Sequence, residues 1–487
     1  MKKLKCSTLL APALIAVVAS SASAQTSDLD QLKATVQQLQ RTIQEQNARI
    51  AELERAKGTT PPATAVTPAV PTAPADKDKS LAQITTEAPA GQAAHVPYRQ
   101  TLKDEQEAAP RAGDLIMDPK YQGYMHVPNT PVIIRFNAKP RVDFTYDLQN
   151  AGNDDRFVTA HIPVDGDPFK GGDGVFNINA KGSQLRLDVR APELGGDFRF
   201  YYQNDFFGSG SDTGDMKYRI QHIYGQFYGF KAGFTYGVWE DPDSWPDTVD
   251  YEGPNAVIFS RLPWPNTYAW NDSWNSTFGV EKPDIFVDTD SGPNPGGNML
   301  TRIPDLGFNT RFEKADFGHL QFSTMFRDLG ARDSLGDEHH VFGWGVNLSA
   351  GLDLTKKDSL QLLGVYGEGV GGLGNDSGFF NSDAAFNSNG DLEALPYWSV
   401  MAGMTHRWTD TLRSTITYGY VNLDNTSAQA GDFYHTTHYA SANIVWQLRR
   451  RLSIGFEGLY GLKEANNGVE SGDHWRLQLG MVYSLFD

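Results

Sequence analysis

The chain has 487 residues, a formal net charge of −17 and 48 glycines. The acidic balance argues against a nucleic-acid partner, which selects a basic face. The one cysteine, Cys6, excludes intrachain disulfides and thiolate metal sites.

Residues 1–24 have the pattern of a secretory signal peptide. Three lysines precede a short apolar run, and Ala22-Ser23-Ala24 forms a small-residue cleavage site. The apolar run is shorter than the roughly 18 residues that would predict a transmembrane helix. We therefore expect these residues to be removed at export, together with the cysteine.

Residues 25–57 carry a heptad repeat that is typical of a coiled coil. An a/d seam runs over four heptads, and Gln46 is its one polar d position. The apolar seam residues are Leu29, Leu32, Val36, Leu39, Ile43, Ile50 and Leu53. Branched a residues with leucine at d favour a dimer when the segment is considered alone. We predict an oligomerisation helix, and an amphipathic helix packed on a globular domain is the alternative.

Residues 58–130 are predicted to be a flexible linker. The stretch GTTPPATAVTPAVPTAPADKDK is rich in proline, alanine and threonine and holds no aromatic residue. Such a segment cannot bury a core of its own. We interpret it as a spacer through which the N-terminal segment could contact the cell wall.

Residues 131–487 have the alternating pattern of an all-β domain. In SQLRLDVRAP (183–192) and in HWRLQLGMVY (474–483), apolar and polar residues alternate one by one. Roughly sixteen segments of about ten residues follow each other, separated by turn residues. A soluble sandwich or propeller and a transmembrane barrel share this pattern.

Three features favour a transmembrane antiparallel β-barrel of about 16 strands. The secretion signal places the chain outside the inner membrane, the strands are long enough to cross a bilayer, and aromatic residues collect at their ends. The last strand would close the barrel, because unpaired backbone groups are costly in lipid. Tyr483, Leu485 and Phe486 are similar to the C-terminal assembly signal of outer-membrane barrels, although Asp487 follows them.

The sequence resembles the DcaP-like porins of Gram-negative outer membranes over nearly the whole mature chain. The motifs that carry this resemblance are HVPNT (126–130), DFTYD (143–147), IPV (162–164), HIYG (222–225), GFTYGVW (233–239), DPD (241–243) and PDTVDYEGP (246–254). In place of the family's Gly-Gly pair, the first strand holds Ala138-Lys139-Pro140. The resemblance implies a trimeric channel with a periplasmic coiled coil that admits small organic anions, dicarboxylates in particular.

An acidic segment, WEDPDSWPDTVDYEG (239–253), falls between the fifth and sixth predicted strands. In sixteen-stranded porins the corresponding loop folds into the barrel, so we predict that this segment narrows the pore. Its carboxylates are Glu240, Asp241, Asp243, Asp247, Asp250 and Glu252. The basic residues at polar positions of the strands are Arg186, Arg190, Arg199, Lys217, Arg219, Arg311 and Arg327. Opposed charges would set up a transverse field that biases the choice of ion, whereas a solvated turn and ordinary lumen salt bridges are the simpler alternative.

We find no motif for catalysis, for a cofactor or for a metal. His339 and His340 would face opposite ways in a strand, and DTDSGPNPGGN (288–298) lacks the ligand spacing of a calcium loop. The sequence therefore predicts no enzyme but a passive porin for small hydrophilic solutes in outer membrane lipid, and the resemblance implies that it is a homotrimer. Two alternatives stay open: a plugged barrel that anchors the outer membrane to the cell wall, and a cation-preferring general porin.

Overall fold

The computed structural model of the protein describes residues 124–127, 129–192, 198–208, 216–259, 263–269 and 273–485. The chain divides into two units, residues 1–94 and 95–487, and all the described residues belong to the second. The predicted signal peptide, coiled coil and most of the linker lie outside the described residues. Within the described ranges, no helix is both long and apolar enough to cross a membrane.

The described residues confirm the predicted all-β class, because their helices are short 3₁₀ turns. These turns are Thr159–His161, Pro242–Ser244, Gly371–Leu373 and Ser377–Phe379. The strands are β1 (Met125–His126), β2 (Ile133–Lys139), β3 (Arg141–Asp147), β4 (Val175–Asn179), β5 (Gln184–Ala191), β6 (Phe198–Asp205), β7 (Arg219–Phe227), β8 (Phe230–Phe234), β9 (Pro263–Ala269), β10 (Trp274–Glu281), β11 (Val287–Asp288), β12 (Asn298–Leu300), β13 (Asp305–Lys314), β14 (Gly318–Arg332), β15 (Glu338–Asp353), β16 (Asp358–Glu368), β17 (Ala384–Phe386), β18 (Leu392–Ala394), β19 (Pro396–Arg407), β20 (Leu412–Leu423), β21 (Tyr434–Arg449), β22 (Leu452–Ala465) and β23 (Ser471–Tyr483).

The long strands pair antiparallel with their neighbours in chain order. From β5 the pairing runs through β6, β7, β8, β9, β10, β13, β14, β15, β16, β19, β20, β21 and β22 to β23. β23 in turn pairs with β3, so that Arg476 lies opposite Asp147 and Val482 opposite Arg141. β2 and β3 are interrupted at Pro140, whose nitrogen carries no N–H, and they pair with β5 and β4 respectively.

The connections between strands differ at the two ends of the sheet. At one end short turns such as 228–229, 315–317 and 450–451 join the strands. At the other end most connections are longer, and those at 148–174 and 369–395 are the longest outside the segment between β8 and β9. A small second sheet of β11, β17 and β18 lies among these long connections. Its apolar residues form a separate buried cluster with residues of β14.

Side chains alternate along the strands in the order opposite to that of a soluble β-protein. On β23, Trp475 and Leu477 are 52% and 44% exposed, whereas His474 and Arg476 are fully buried. In water the apolar residues would be the buried ones, because burial of apolar surface is what favours folding. The observed order suits a sheet whose outer face meets lipid and whose inner face is polar. It therefore favours the barrel over the soluble sandwich.

The segment between β8 and β9, residues 235–259, is called the inner loop here because it packs on the polar face of the sheet. Every residue from 235 to 250 is buried. Trp239 and Ile258 of the inner loop pack with Met325, Leu363 and other apolar residues of the wall strands. The inner face is thus polar in most places and apolar where the loop covers it.

Candidate functional site

Amide side chains of the wall hold the backbone of the inner loop. The carbonyl oxygens of residues 238–240 accept hydrogen bonds from donors on β13, β15 and β14. The donors are Asn309, Asn347 and Gln321, at 2.8, 2.9 and 3.0 Å respectively. Buried carbonyl groups need partners, and a loop without regular structure cannot supply them itself. The inward amides of the wall therefore determine where the loop can lie.

Glycines on the inner face make room for the loop. A Cβ atom added to Gly345 would lie 2.6 Å from the ring of Trp239, and one added to Gly403 would lie 2.6 Å from Pro246. Neither distance is tolerable for a real side chain, so glycine is needed there for close approach. Other wall glycines that face side chains of the loop are Gly279, Gly307, Gly419, Gly455 and Gly480.

The first acidic group of the inner loop is bound to the wall. Arg311 on β13 donates from Nη1 to Asp241 Oδ1 at 2.9 Å and from Nη2 to Asp243 Oδ2 at 2.7 Å. Ser349 donates to Asp241 at 2.6 Å, and His319 Nε2 lies 2.8 Å from the same carboxylate. Burial alone would raise the pKa of Asp241, but the charges of His319 and Arg311 hold this pKa well below its usual range. Asp241 is therefore ionised, and its contacts bind the inner loop to the wall strands.

The second acidic group is bound to the wall further along the loop. Arg413 on β20 donates from Nε to the carboxylate of Asp247. The N–H of Asp250 donates to Glu457 Oε2 at 2.6 Å, and its carboxylate accepts N–H groups of Phe157 at 3.3 Å and Gly253 at 3.0 Å. Burial raises the pKa of Asp250 to about 7, against the opposing charge of Arg476. Asp250 is thus only partly charged at neutral pH.

A pocket lies between the inner loop and the strands β2, β3, β5 and β7; it is the candidate route for a solute and is called the passage below. Among the described residues that line it, four are basic and two are acidic. The basic residues are Lys139, Arg141, Arg156 and Arg219, and the acidic ones are Asp250 and Glu252. The loop also contributes Trp245, Thr248, Tyr251 and Phe259 to the lining. The fastened carboxylates of Asp241, Asp243 and Asp247 are not part of it.

The arginines of the passage are held in fixed positions by neighbouring acceptors. Arg141 Nε donates to Asp143 at 2.6 Å, and Arg219 Nε donates to Asp205 at 2.9 Å. Arg156, in the connection 148–174, donates to Glu252 at 2.8 Å. Paired arginines of this kind still present N–H groups to a carboxylate, because each guanidinium has five donors.

The predicted basic residues are distributed over several places. Arg219 lines the passage, and Arg186 lies beside it, donating to the neutral Gln184 side chain. Arg190 and Arg199 both bind Asp188 on β5, with Nη2 atoms at 3.2 and 2.9 Å. Lys217 is half-buried next to the segment 209–215.

Two further predicted arginines are engaged within the fold. Arg311 fastens the inner loop, as described above. Arg327 is fully buried and donates to Asp305, Asp383 and the carbonyl oxygen of Gly369, each at 3.0 Å. Such burial leaves Arg327 no surface with which to contact a solute. The predicted acidic residue Glu240 is also buried, and its backbone carbonyl oxygen accepts the hydrogen bond from Gln321.

Sequence reasoning missed Lys139, Arg141, Arg156 and Tyr251. Lys139 and Arg141 share the inward parity of Asp143 and Asp147, so alternation along the first strand could have identified them. Arg156 lies in an irregular connection, where no periodicity indicates direction. Within the described residues, no group of histidine, cysteine and acidic side chains is arranged to hold a metal ion.

Comparison with known proteins agrees with the resemblance found in the sequence. The model of a family described as the DcaP outer membrane protein matches residues 122–484. The crystal structure of the outer membrane channel DcaP of Acinetobacter baumannii has 19% identity and a TM-score of 0.64, covering 74% of this chain and 99% of that one. This likeness shows the fold.

Two other solved structures are more distant. An anion-selective porin from Comamonas acidovorans has 10% identity and a TM-score of 0.44, and the match covers 73% of this chain and 100% of that porin. OmpF of Salmonella typhi in complex with daunomycin has 11% identity and a TM-score of 0.47, covering 74% and 100%. No curated protein matches the chain.

Proposed function

The chain belongs to the DcaP outer membrane protein family, and on that premise we propose that it is a porin for small hydrophilic anions. Solutes diffuse through it passively, and organic dicarboxylates are the class that we expect it to favour. The passage between the inner loop and the basic strands is the route.

The proposed channel is a closed barrel of sixteen antiparallel strands. In this count β2 and β3 together form one spanning strand, which is interrupted at Pro140. β4 and β5 together form the next spanning strand. The pairing of β23 with β3 supports closure, since it joins the last strand to the first. Closure leaves no unpaired strand edge in lipid. The short turns then face the periplasm and the long connections face outward.

The charge of the passage carries the proposed anion preference. Its lining holds four basic residues against two acidic ones, and Asp250 is only partly ionised at neutral pH. The carboxylates of Asp241, Asp243 and Asp247 are neutralised at the wall by Arg311 and Arg413. Because Arg141, Arg219 and Arg156 are paired with Asp143, Asp205 and Glu252, the excess positive charge is that of Lys139. The passage can therefore be positive although the chain has a net charge of −17.

The positions of the basic residues in the lining favour the passage of anions. A positive potential raises the local concentration of carboxylates, and fixed guanidinium groups replace part of their hydration shell. Conduction also requires that no single site binds too tightly. Because Arg141, Arg156 and Arg219 each share their charge with a carboxylate, they offer several weak contacts in succession.

We further propose that the porin is a homotrimer. Residues 25–57 would form a periplasmic coiled coil, and residues 58–130 would connect it to the barrel. The heptad seam supports self-association. Outer membrane lipid would surround the exposed apolar face of the strands.

The proposed function is tested by conductance in planar bilayers. We expect stepwise openings and, under a salt gradient, a reversal potential that reports anion preference. Cation preference would contradict the role of the basic lining but leave a pore. If correctly folded protein gives no current, the chain is not a porin.

One observation favours a second candidate, the plugged outer membrane anchor. Met325, Leu363 and Met401 project to the inner face and pack on the loop, so part of the lumen is filled by apolar contacts. An anchor would be closed to ions, and its attachment to the cell wall would depend on residues 25–97. Loss of that attachment on deletion of these residues, in a protein without conductance, would support this candidate.

A further inference from the structure

Tyr251 connects the inner loop to the strands on the basic side of the passage. Its hydroxyl accepts hydrogen bonds from Gln221 Nε2 at 2.6 Å and Gln184 Nε2 at 3.0 Å. The same hydroxyl donates to Asp205 Oδ2 at 2.9 Å. These partners belong to β7, β5 and β6, so that one side chain of the loop contacts three wall strands.

The partners of Tyr251 are themselves held in place. Gln221 Nε2 also donates to Asp205 at 2.8 Å, and Arg219 Nε donates to Asp205 at 2.9 Å. Gln221 and Asp205 are fully buried. An ionised carboxylate can only accept, and the two amide nitrogens can only donate. The phenol hydroxyl is the group that matches this set, because it can accept twice and donate once.

The ring of Tyr251 is positioned as closely as its hydroxyl. It stacks on Phe207 with centroids 4.8 Å apart, and Arg141 Cζ lies 5.2 Å from the ring centroid. A Cβ atom added to Gly182 would lie 3.0 Å from Tyr251 Cδ2, so the wall leaves room for this ring. The ring lines the passage together with Arg141 and Arg219.

The two sides of the inner loop are thus attached in different ways. On one side Arg311 and Arg413 bind carboxylates of the loop. On the side of β5, β6 and β7, the hydroxyl of Tyr251 provides three hydrogen bonds at the border of the passage. Loss of these three bonds would let the loop shift away from β5, β6 and β7 at Tyr251, while the ion pairs of Arg311 and Arg413 and the contact of Asp250 with Glu457 keep the rest of the loop docked.

We propose that Tyr251 is the latch of the passage: it holds the inner loop at a fixed distance from β5, β6 and β7 and thereby determines the open width. The inference rests on the proposed porin function, because a width matters only where solutes pass. Tyr251 is a positioning residue for the loop and, through its ring, a size-determining residue for the solute.

Two substitutions separate these roles. Tyr251→Phe keeps the ring and removes the hydroxyl, and we expect a roughly tenfold rise in the frequency of transitions between conductance levels, since three hydrogen bonds are lost. Tyr251→Ala also removes the ring, and we expect the single-channel conductance to rise by about half or more. Tyr366→Phe, on the exposed face of β16, is the control and should behave as the wild type.

A wall variant tests whether the hydrogen bonds themselves matter. Gln221→Leu should reproduce part of the transitions of Tyr251→Phe, and the double variant should add little to Tyr251→Phe, because the bond from Gln221 is one of the three that Tyr251→Phe already removes. Independent additive effects would overturn the latch. Unchanged conductance and transitions in Tyr251→Phe and Tyr251→Ala would overturn it as well.

Amide hydrogen exchange of the inner loop gives a readout that needs no current. We expect faster exchange at residues 250–253 in Tyr251→Phe than in the wild type or in Tyr366→Phe. If the wild type does not conduct but this exchange increases, the porin function fails while Tyr251 still holds the loop. If the wild type conducts and the exchange of Tyr251→Phe is unchanged, the latch fails alone.

Discussion

The Nη1 atom of Arg311 lies 2.9 Å from Oδ1 of Asp241, in an ion pair whose two side chains are almost completely buried. The two residues are separated by 70 positions in the chain. Arg311 belongs to the wall and Asp241 to the inner loop, so this pair, together with the wall amides, holds the loop against β13.

Removal of the Arg311 charge should release this side of the loop. Loss of one partner from a buried ion pair costs about 3–5 kcal/mol, because the other charge remains buried and unpaired. We expect Arg311→Gln to lower the thermal unfolding midpoint in detergent and to make the inner loop accessible to protease. Arg332→Gln breaks a half-exposed pair with Glu338 and should cost only about 0–1 kcal/mol. Equal effects of the two variants would contradict the docking role.

A side chain at Gly403 should displace the inner loop. Its Cβ atom would approach Pro246 to 2.6 Å, and overpacking of this kind costs about 1–3 kcal/mol. We expect Gly403→Val to lower the thermal midpoint and to raise conductance noise. Gly364→Val is the matched control, since a Cβ atom at that position meets no atom within 4 Å. The prediction fails if Gly403→Val has the midpoint and noise of the wild type.

A reversed charge at Lys139 should weaken anion selectivity. Lys139 lines the passage, and one unit charge about 6 Å from an ion in water changes its energy enough for roughly a threefold change in relative permeability. Lys139→Glu changes two units, so we expect up to about a tenfold fall at low salt, measured by reversal potential. Lys356→Glu, in an exposed turn, makes the same charge change away from the passage and should leave selectivity intact. A similar shift in both variants would show that the lining does not select.

Anion selectivity should rise as the pH falls through about 7. Burial raises the pKa of Asp250 to about 7, so this carboxyl group is protonated below that pH and ionised above it. Because Asp250 lines the passage, its protonation removes a negative charge from the lining. We expect the reversal potential to report stronger anion preference at pH 6 than at pH 8 in the wild type, and a smaller change in Asp250→Asn. A wild type without pH dependence would show that Asp250 does not titrate in this range.

The alternation along the strands could be predicted from the sequence, whereas the contacts of the inner loop could not. Alternation on β5 and β23 is local, so the polar and apolar faces could be assigned from the residues alone. The direction of the loop carboxylates could not, because their partners are remote: Asp247 and Arg413 are 166 positions apart. Apolar residues that face inward, such as Met325, could not be predicted either. The inward positions of the strands are polar except where the inner loop covers them, and the sequence does not indicate which positions are covered.

The inner loop also determines the order in which the protein can acquire its final form. Several of its partners come from the C-terminal strands: Asp250 binds Glu457, 207 positions later, and Gln478 lies 229 positions after Val249. Contacts of such long sequence separation form slowly, because the intervening chain must first be closed into a loop. The passage can therefore take shape only after β22 and β23 have joined the sheet. A chain arrested before that stage could dock residues 238–243 on β13, β14 and β15 but not residues 249–250, so the docking of this last part would complete the fold.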